Sequence, residues 1–183
     1  AFRIFFVFLR SVLIMAMATV VSKRPAPKSA QGSRTQMTEF VLPTHANALG
    51  GVFGGQIMAW MDLCAAICAQ RFTGSLCVTA GMDELSFELP IQVGQVVRLE
   101  SRVTAAFRTS LEIFVDVRGE DSVSGRTWPC VSGYVTFVAI KDGAPAAVVP
   151  SLLVTTDEER AHQGAATERR RLRLARRAVA AAL

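Results

Sequence analysis

Histidine is scarce in this chain of 183 residues: His45 and His162 are the only two. A zinc site draws on histidines or on closely spaced cysteine pairs, and no such pattern is present, so no metal is expected. The four cysteines do not form a disulfide framework. Cys64 and Cys68 lie one helical turn apart, and Cys77 and Cys130 fall in strand-like runs, so all four read as buried thiols of a reducing compartment. No Gly-x-Ser-x-Gly elbow occurs, which disfavours a Ser–His–Asp hydrolase. There is no P-loop, no dinucleotide fingerprint and no internal repeat. Acidic residues are missing from residues 1–38, which carry Arg3, Arg10, Lys23, Arg24, Lys28 and Arg34. Bases crowd the other end as Arg169, Arg170, Arg171, Arg173, Arg176 and Arg177. The net charge of +5 is therefore a property of the two tails, and the centre is close to neutral. Nucleic-acid binding does not follow from bases confined to tails.

The richest stretch is residues 44–71. It opens as a loop, because Asn47, Gly50, Gly51, Gly54 and Gly55 do not hold regular structure. From Gln56 to Ala69 there is neither Gly nor Pro, and Ala, Met, Leu and Ile supply helix propensity. Apolar residues occupy every side, Ile57, Trp60 and Cys64 on one and Met58, Met61 and Ala65 on another. A helix apolar all round is a buried helix. Asp62 breaks that pattern, with Met58 and Ala66 one turn away and no basic partner on its face. An ionised carboxylate in such a place is costly unless it is paired or used. That singles out Asp62 as a candidate functional group; the plainer reading is a local cap at a polar cleft edge. Gly54 and Gly55 stand where the helix begins, where free N–H groups and the positive end of the helix dipole favour an anion or a developing oxyanion. The plainer reading of that glycine pair is a tight turn packed closely on a sheet.

The remainder of the chain reads as strands. Thr38 to Leu42 is a short strand leading into the loop. Leu76 to Leu89 is rich in β-branched and aromatic residues and stops at Pro90. Gln95–Phe107, Ser110–Arg118 and Trp128–Ile140 follow, two of them with clear period-two alternation, separated by the Gly94 turn and a polar hairpin at Gly119–Gly125. One buried helix followed by four such strands predicts an α+β domain: an antiparallel sheet wrapped around a central helix. Residues 38–154 form this domain. Residues 1–37 form an N-terminal extension and Pro/Ser/Lys linker, and residues 155–183 a basic C-terminal helix that Gly164 interrupts. Its arginine cluster reads first as a solvated face, or else as a contact for phosphates or a membrane surface.

The run from Asn47 through Gly54-Gly55 to Met61-Asp62 resembles the active-site signature of hotdog-fold acyl-CoA thioesterases, in particular the bacterial short-chain and brain-type acyl-CoA hydrolases. The resemblance continues through Val78-Thr79-Ala80, Ser86-Phe87, Pro90-Ile91-Gln92-Val93-Gly94, Arg108-Thr109-Ser110-Leu111-Glu112 and Tyr134-Val135-Thr136-Phe137. It implies hydrolysis of acyl-CoA to a fatty acid and CoA, with no cofactor beyond the CoA of the substrate. It implies that Asp62 is the general base or the nucleophile, that Asn47 orients water or polarises the thioester, and that the Gly55 N–H, beside Gly54, donates to the carbonyl oxygen. Ser110 matches a position near the CoA moiety. It further implies a homodimer, or three such dimers, with Asn47 and Asp62 of one site drawn from different subunits. A dehydratase of the same fold would need a catalytic histidine, and His45 precedes Asn47 outside that pattern. The alternative from another class is a non-catalytic hotdog subunit kept as scaffold in a larger protein assembly, which the two extensions fit.

The first 21 residues are strongly apolar but carry Arg10 at their midpoint, which argues against a membrane span of about 20 residues. Their acid-free, Arg- and Ser-bearing composition matches a mitochondrial presequence. A cytoplasmic protein is the alternative, if translation starts at Met15, Met17 or Met37. Residues 1–37 fused to a fluorescent reporter are expected to direct it to mitochondria. A reporter left in the cytosol or secreted contradicts that expectation.

Overall fold

The computed structural model describes residues 24–140 and 147–180. Helix α1 spans Gly54–Thr73 and stops at Gly74, whose φ of +68° and N–H bond to Gln70 O form a left-handed glycine cap. One five-stranded antiparallel sheet wraps it: β2 (Thr35–Phe40), β3 (Cys77–Phe87), β4 (Val96–Ala106), β5 (Ser110–Glu120) and β6 (Thr127–Ala139), in the order β2-β4-β5-β6-β3. The expected α+β architecture, a sheet around a central helix, is the one observed. Period-two alternation is what binds the layers. Leu111, Ile113, Val115 and Val117 of β5 all point at α1 and are fully buried. Burying each contributes about 1.5–3 kcal/mol. The close approach of β5 to β6 needs Gly119, where a Cβ would overlap the Trp128 ring.

Helix α1 is not buried all round, as its composition led one to expect. Ile57, Trp60, Met61, Cys64, Ala65 and Cys68 face the sheet, while Met58 and Leu63 are 38% and 51% exposed. Composition does not distinguish a helix enclosed by its own domain from one that leaves an apolar side bare. The bare side adjoins β3, an edge strand with exposed Val78 and Phe87.

The segment read as a linker is partly structured. Lys28–Ser29 form strand β1, parallel to β7 (Leu152–Leu153), and β2 begins at Thr35 rather than Thr38. Long basic side chains anchor this stretch to backbone carbonyls. Lys28 Nζ donates to Phe72 O in the last turn of α1, a favourable place for a cation, and Arg24 Nε donates to Val149 O. Most of the proposed targeting extension, residues 1–23, lies outside the described residues.

Helix α2 (Asp157–Ala180) runs unbroken through Gly164. A capping box starts it: Thr156 Oγ1 accepts the Glu159 N–H, and the Glu159 carboxylate accepts the Thr156 N–H. It lies on the sheet face opposite α1. His162, Ala166, Arg169 and Arg173 form one stripe toward the sheet. Its arginines are only in part a solvated face. Arg169 donates twice to Glu112 of β5, at 3.0 and 2.7 Å, and the Glu112 side chain is fully buried. Thr104 Oγ1 donates to the same carboxylate at 2.9 Å. Burial pulls the Arg169 guanidinium down, but its hydrogen bond and charge contact with Glu112 outweigh this and hold it above its ordinary value. Arg173 pairs with Asp83 of β3. Arginine forks suit such part-buried pairs, and a helix of this polarity docks through them because it lacks an apolar stripe.

All four thiols are free. Burial pushes those of Cys68 and Cys130 up to about 11 from an ordinary 9.0. The fold thus favours the neutral thiol, a contribution fully present below pH 9 and lost as pH rises toward about 11. The thermal midpoint is expected to fall with pH over that window, and less steeply in Cys68→Ala. Parallel slopes in the two proteins would contradict this origin.

Candidate functional site

The loop before α1 is built around Asn47. Its N–H donates to Gly51 O at 2.8 Å, its Oδ1 accepts the Leu49 N–H at 2.9 Å, and the turn closes through Gly50 with φ +78°. A bridge between Ala46 and Val52 closes the loop on itself, and one between Gly51 and Gln92 ties it to the chain following β3. This leaves the Asn47 side-chain NH2 with no acceptor among the described residues. His45 packs in the same loop: its Nδ1 accepts the Leu42 N–H at 3.2 Å, and its ring meets Trp60 edge-on at 5.1 Å.

Helix α1 then starts without a side-chain cap. The Gly54 and Gly55 N–H groups have no acceptor among the described residues. Neither glycine has a positive φ. A Cβ on Gly54 would sit 3.5 Å from the Phe87 ring, and one on Gly55 3.4 Å from Phe53, both ordinary contacts. Tight turning and close packing therefore do not explain the pair. What remains is an open backbone at the positive end of a 20-residue helix.

Asp62 lies about 12 Å further along the axis, eight residues at 1.5 Å each. Its carboxylate is half-buried, and Oδ1 accepts a 2.5 Å hydrogen bond from Thr79 Oγ1 of β3. Oδ2 has no partner among the described residues, and no cation pairs with the group. Asp62 is thus held by a neutral donor on one oxygen and open on the other, on the bare side of α1. Thr79 was not singled out from sequence. A threonine in a strand reads as an ordinary β-branched residue, and only its place in the Val78-Thr79-Ala80 block carried any signal.

The structure gathers Asn47, Gly54 and Gly55 at one end of α1, and Asp62 with Thr79 two turns away. Ser110 begins β5 at the sheet end where Thr79 lies, since Ser110 pairs with Val138 and Thr79 with Phe137. The pleat sends Leu111 toward α1 and Ser110, with Glu112, to the opposite face. Within one chain, then, Ser110 and Asp62 are on opposite sides of the sheet. No three His, Cys, Asp or Glu side chains converge among the described residues.

Comparison with known proteins places this geometry. The Thioesterase superfamily matches residues 49–125. Acyl-coenzyme A thioesterase 11 of Mus musculus is 38% identical over 142 residues, 78% of this chain but 24% of that protein. The chain spans about a quarter of the length of this and other mammalian relatives. An acyl-CoA hydrolase of Staphylococcus aureus, solved in complex with butyryl coenzyme A, coenzyme A and coenzyme A disulfide, superposes with a TM-score of 0.76 at 31% identity, covering 84% of this chain and 93% of that one. A hexameric acyl-CoA thioesterase solved in its apo form superposes at 0.79, with 32% identity and coverage of 84% and 99%. This chain belongs to the hotdog-fold acyl-CoA thioesterase family. The Staphylococcus aureus enzyme has been solved with alanine in place of an asparagine, of an aspartate and of a threonine, which follow one another at the same intervals as Asn47, Asp62 and Thr79 here.

If the glycine pair serves an open backbone rather than packing, Gly55→Ala should fold as well as the parent. Its thermal midpoint should be equal or slightly higher, since alanine exceeds glycine in helix propensity by up to ~1 kcal/mol. A fall of more than about 5 °C in a thermal melt would restore the packing explanation.

Proposed function

We propose that the chain hydrolyses acyl-CoA thioesters at a site that two copies build together. The observation that carries this reading is Asp62: a carboxylate with one oxygen held by Thr79 and the other open, on an exposed apolar face. It suits a base that takes a proton from water as the water attacks the thioester carbon, or a nucleophile that attacks directly. The Gly55 N–H, with the helix dipole behind it, suits the oxyanion of the tetrahedral intermediate. The Asn47 amide suits the water or the thioester oxygen. Collapse of the intermediate breaks the carbon–sulfur bond, and the departing CoA thiolate takes up the proton; the water route releases fatty acid at this step, whereas direct attack leaves an acyl–Asp62 anhydride that water then hydrolyses to the fatty acid.

Geometry supports the sharing. Asp62 and the helix start are about 12 Å apart in one chain, too far to act on one carbonyl group. β3 is an edge strand, with Thr79 near one end and Phe87, whose ring lies beside Gly54, at the other. Antiparallel pairing of two β3 strands about Asp83 would set Thr79 of one copy opposite Phe87 of the second. Asp62 of one copy then faces Gly54, Gly55 and Asn47 of the other. The same pairing covers Met58 and Leu63, which are exposed in a single copy, and closes the open sheet edge. A mitochondrial setting rests on the N-terminal composition alone.

Asp62→Asn is expected to lower the hydrolysis rate by ~100-fold or more, the scale of lost general-base catalysis, with KM nearly unchanged. Asn47→Ala should also lower turnover. Mixing the two variants after subunit exchange should restore activity, up to about half the parent's per mixed dimer, because a mixed dimer holds one intact site and one doubly altered. No recovery after proven exchange rejects the shared site. Full activity of Asp62→Asn rejects the catalytic assignment, and an inactive parent protein favours the scaffold reading.

A further inference from the structure

We propose that helix α2 is a clamp on the edge strand β3, with Arg173 acting through Asp83 as a positioning residue for the Thr79–Asp62 pair. This rests on the reading of Asp62 as the reacting group. β3 pairs with β6 imperfectly. Register slips fall between Thr79 and Gly81 and between Asp83 and Ser86. Between them only Gly81, Met82 and Asp83 keep regular partners, namely Thr136, Val135 and Tyr134. Slips of this kind disrupt the ladder and bend the strand, and within a single copy the edge strand has no second neighbour to restore its register. Thr79 ends the regular pairing of Cys77–Thr79 with β6 and stands directly before the first slip, so the three-residue segment after it is what keeps that register from shifting. A one-residue shift would turn that hydroxyl to the other face of the sheet, away from Asp62.

Arg173 pins this segment from the outer face. Its ion pair with Asp83 is well shielded, the side chains being 14% and 19% exposed. One helical turn earlier, Arg169 forks onto the fully buried Glu112 of β5. Its guanidinium also lies 3.5 Å above the centre of the Tyr134 ring, and Tyr134 is the β6 partner of Asp83. The two arginines thus fix α2 to β5 and β6, the regular part of the sheet, and carry that fixed position across to β3. By contrast, the ion pair of Arg171 with Glu168 stays within α2. The clamp therefore depends on Arg169 and Arg173, not on the helix's overall charge. Asp83 is also the midpoint between Thr79 and Phe87, so the pin holds the part of β3 on which the proposed two-fold pairing centres.

The test compares Arg173→Gln, Asp83→Asn and their double variant with Arg173→Lys and with Arg171→Gln as a charge-matched control, all in the full chain. Amide hydrogen exchange over residues 77–87 and acyl-CoA hydrolysis are both read. In Arg173→Gln and Asp83→Asn, exchange in β3 should quicken about tenfold while β5 stays protected. The kcat should fall about tenfold with KM within about twofold, as expected when a reacting group is displaced and substrate binding is left intact. The double variant should be no worse than either single one, since both remove the same link. Arg173→Lys should recover most of the activity, and Arg171→Gln should match the parent. Unchanged β3 exchange in Arg173→Gln, additive losses in the double variant, or an equal loss in Arg171→Gln would overturn the clamp. A parent protein without hydrolytic activity would reject the catalytic reading, and the exchange measurements would still decide the clamp.

Discussion

The packing of α1 against the alternating face of the sheet is the constraint on which the rest depends. Every second residue of β5 and several of β4 and β6 press on one side of the helix, and that fixes which side stays outside. The outside stripe holds Met58, Asp62 and Leu63, beside an edge strand that is itself apolar. A carboxylate on such a stripe is open to water and to a partner's chain, but it is not loose, because Thr79 of β3 holds one oxygen. Burial of the opposite side sets the rotation of the helix, and the rotation brings Asp62 to Thr79.

The start and the middle of α1 do different work. At its start, glycines leave the backbone N–H groups uncovered, and the Asn47 loop closes beside them with a spare amide donor. In its middle, the acid stands alone. A separation of about 12 Å prevents one chain from bringing the helix start and Asp62 to bear on one carbonyl group. The proposed approach of a second copy would cover the exposed apolar side and the open β3 edge together. One geometry thus accounts for the exposed surface, the uncapped helix and the lone carboxylate.

Much of this was legible in the chain itself. The central helix stood out as a run free of Gly and Pro, and the strands as period-two runs between turns. Asp62 stood out because it is the one charge in an apolar stretch. The limits have physical causes. Nothing in the composition of α1 marks Met58 and Leu63 as exposed, because an apolar residue awaiting a partner looks like one in a core. Thr79 is an unexceptional strand residue until its hydroxyl is seen against Asp62. Arg169 and Arg173 look like their solvated neighbours, since the acids they meet, Glu112 and Asp83, are distant in sequence and lie on two different strands. Gly164 did not break α2, because the capping box and the docked arginines hold the helix on either side of it. Lys28 and Arg24 were read as part of a linker, and it is their bonds to carbonyls of α1 and of the segment before β7 that give this stretch its structure.

The central claim is that one thioester is handled by two copies of the chain. The most direct measurement is a crystal structure of the full-length protein with a non-hydrolysable acyl-CoA analogue bound. The account predicts that the analogue's carbonyl carbon lies within reach of Asp62 of one copy while its oxygen meets the Gly55 N–H of the other. A carbonyl group bound within a single copy, or on the outer sheet face beneath α2, would contradict it.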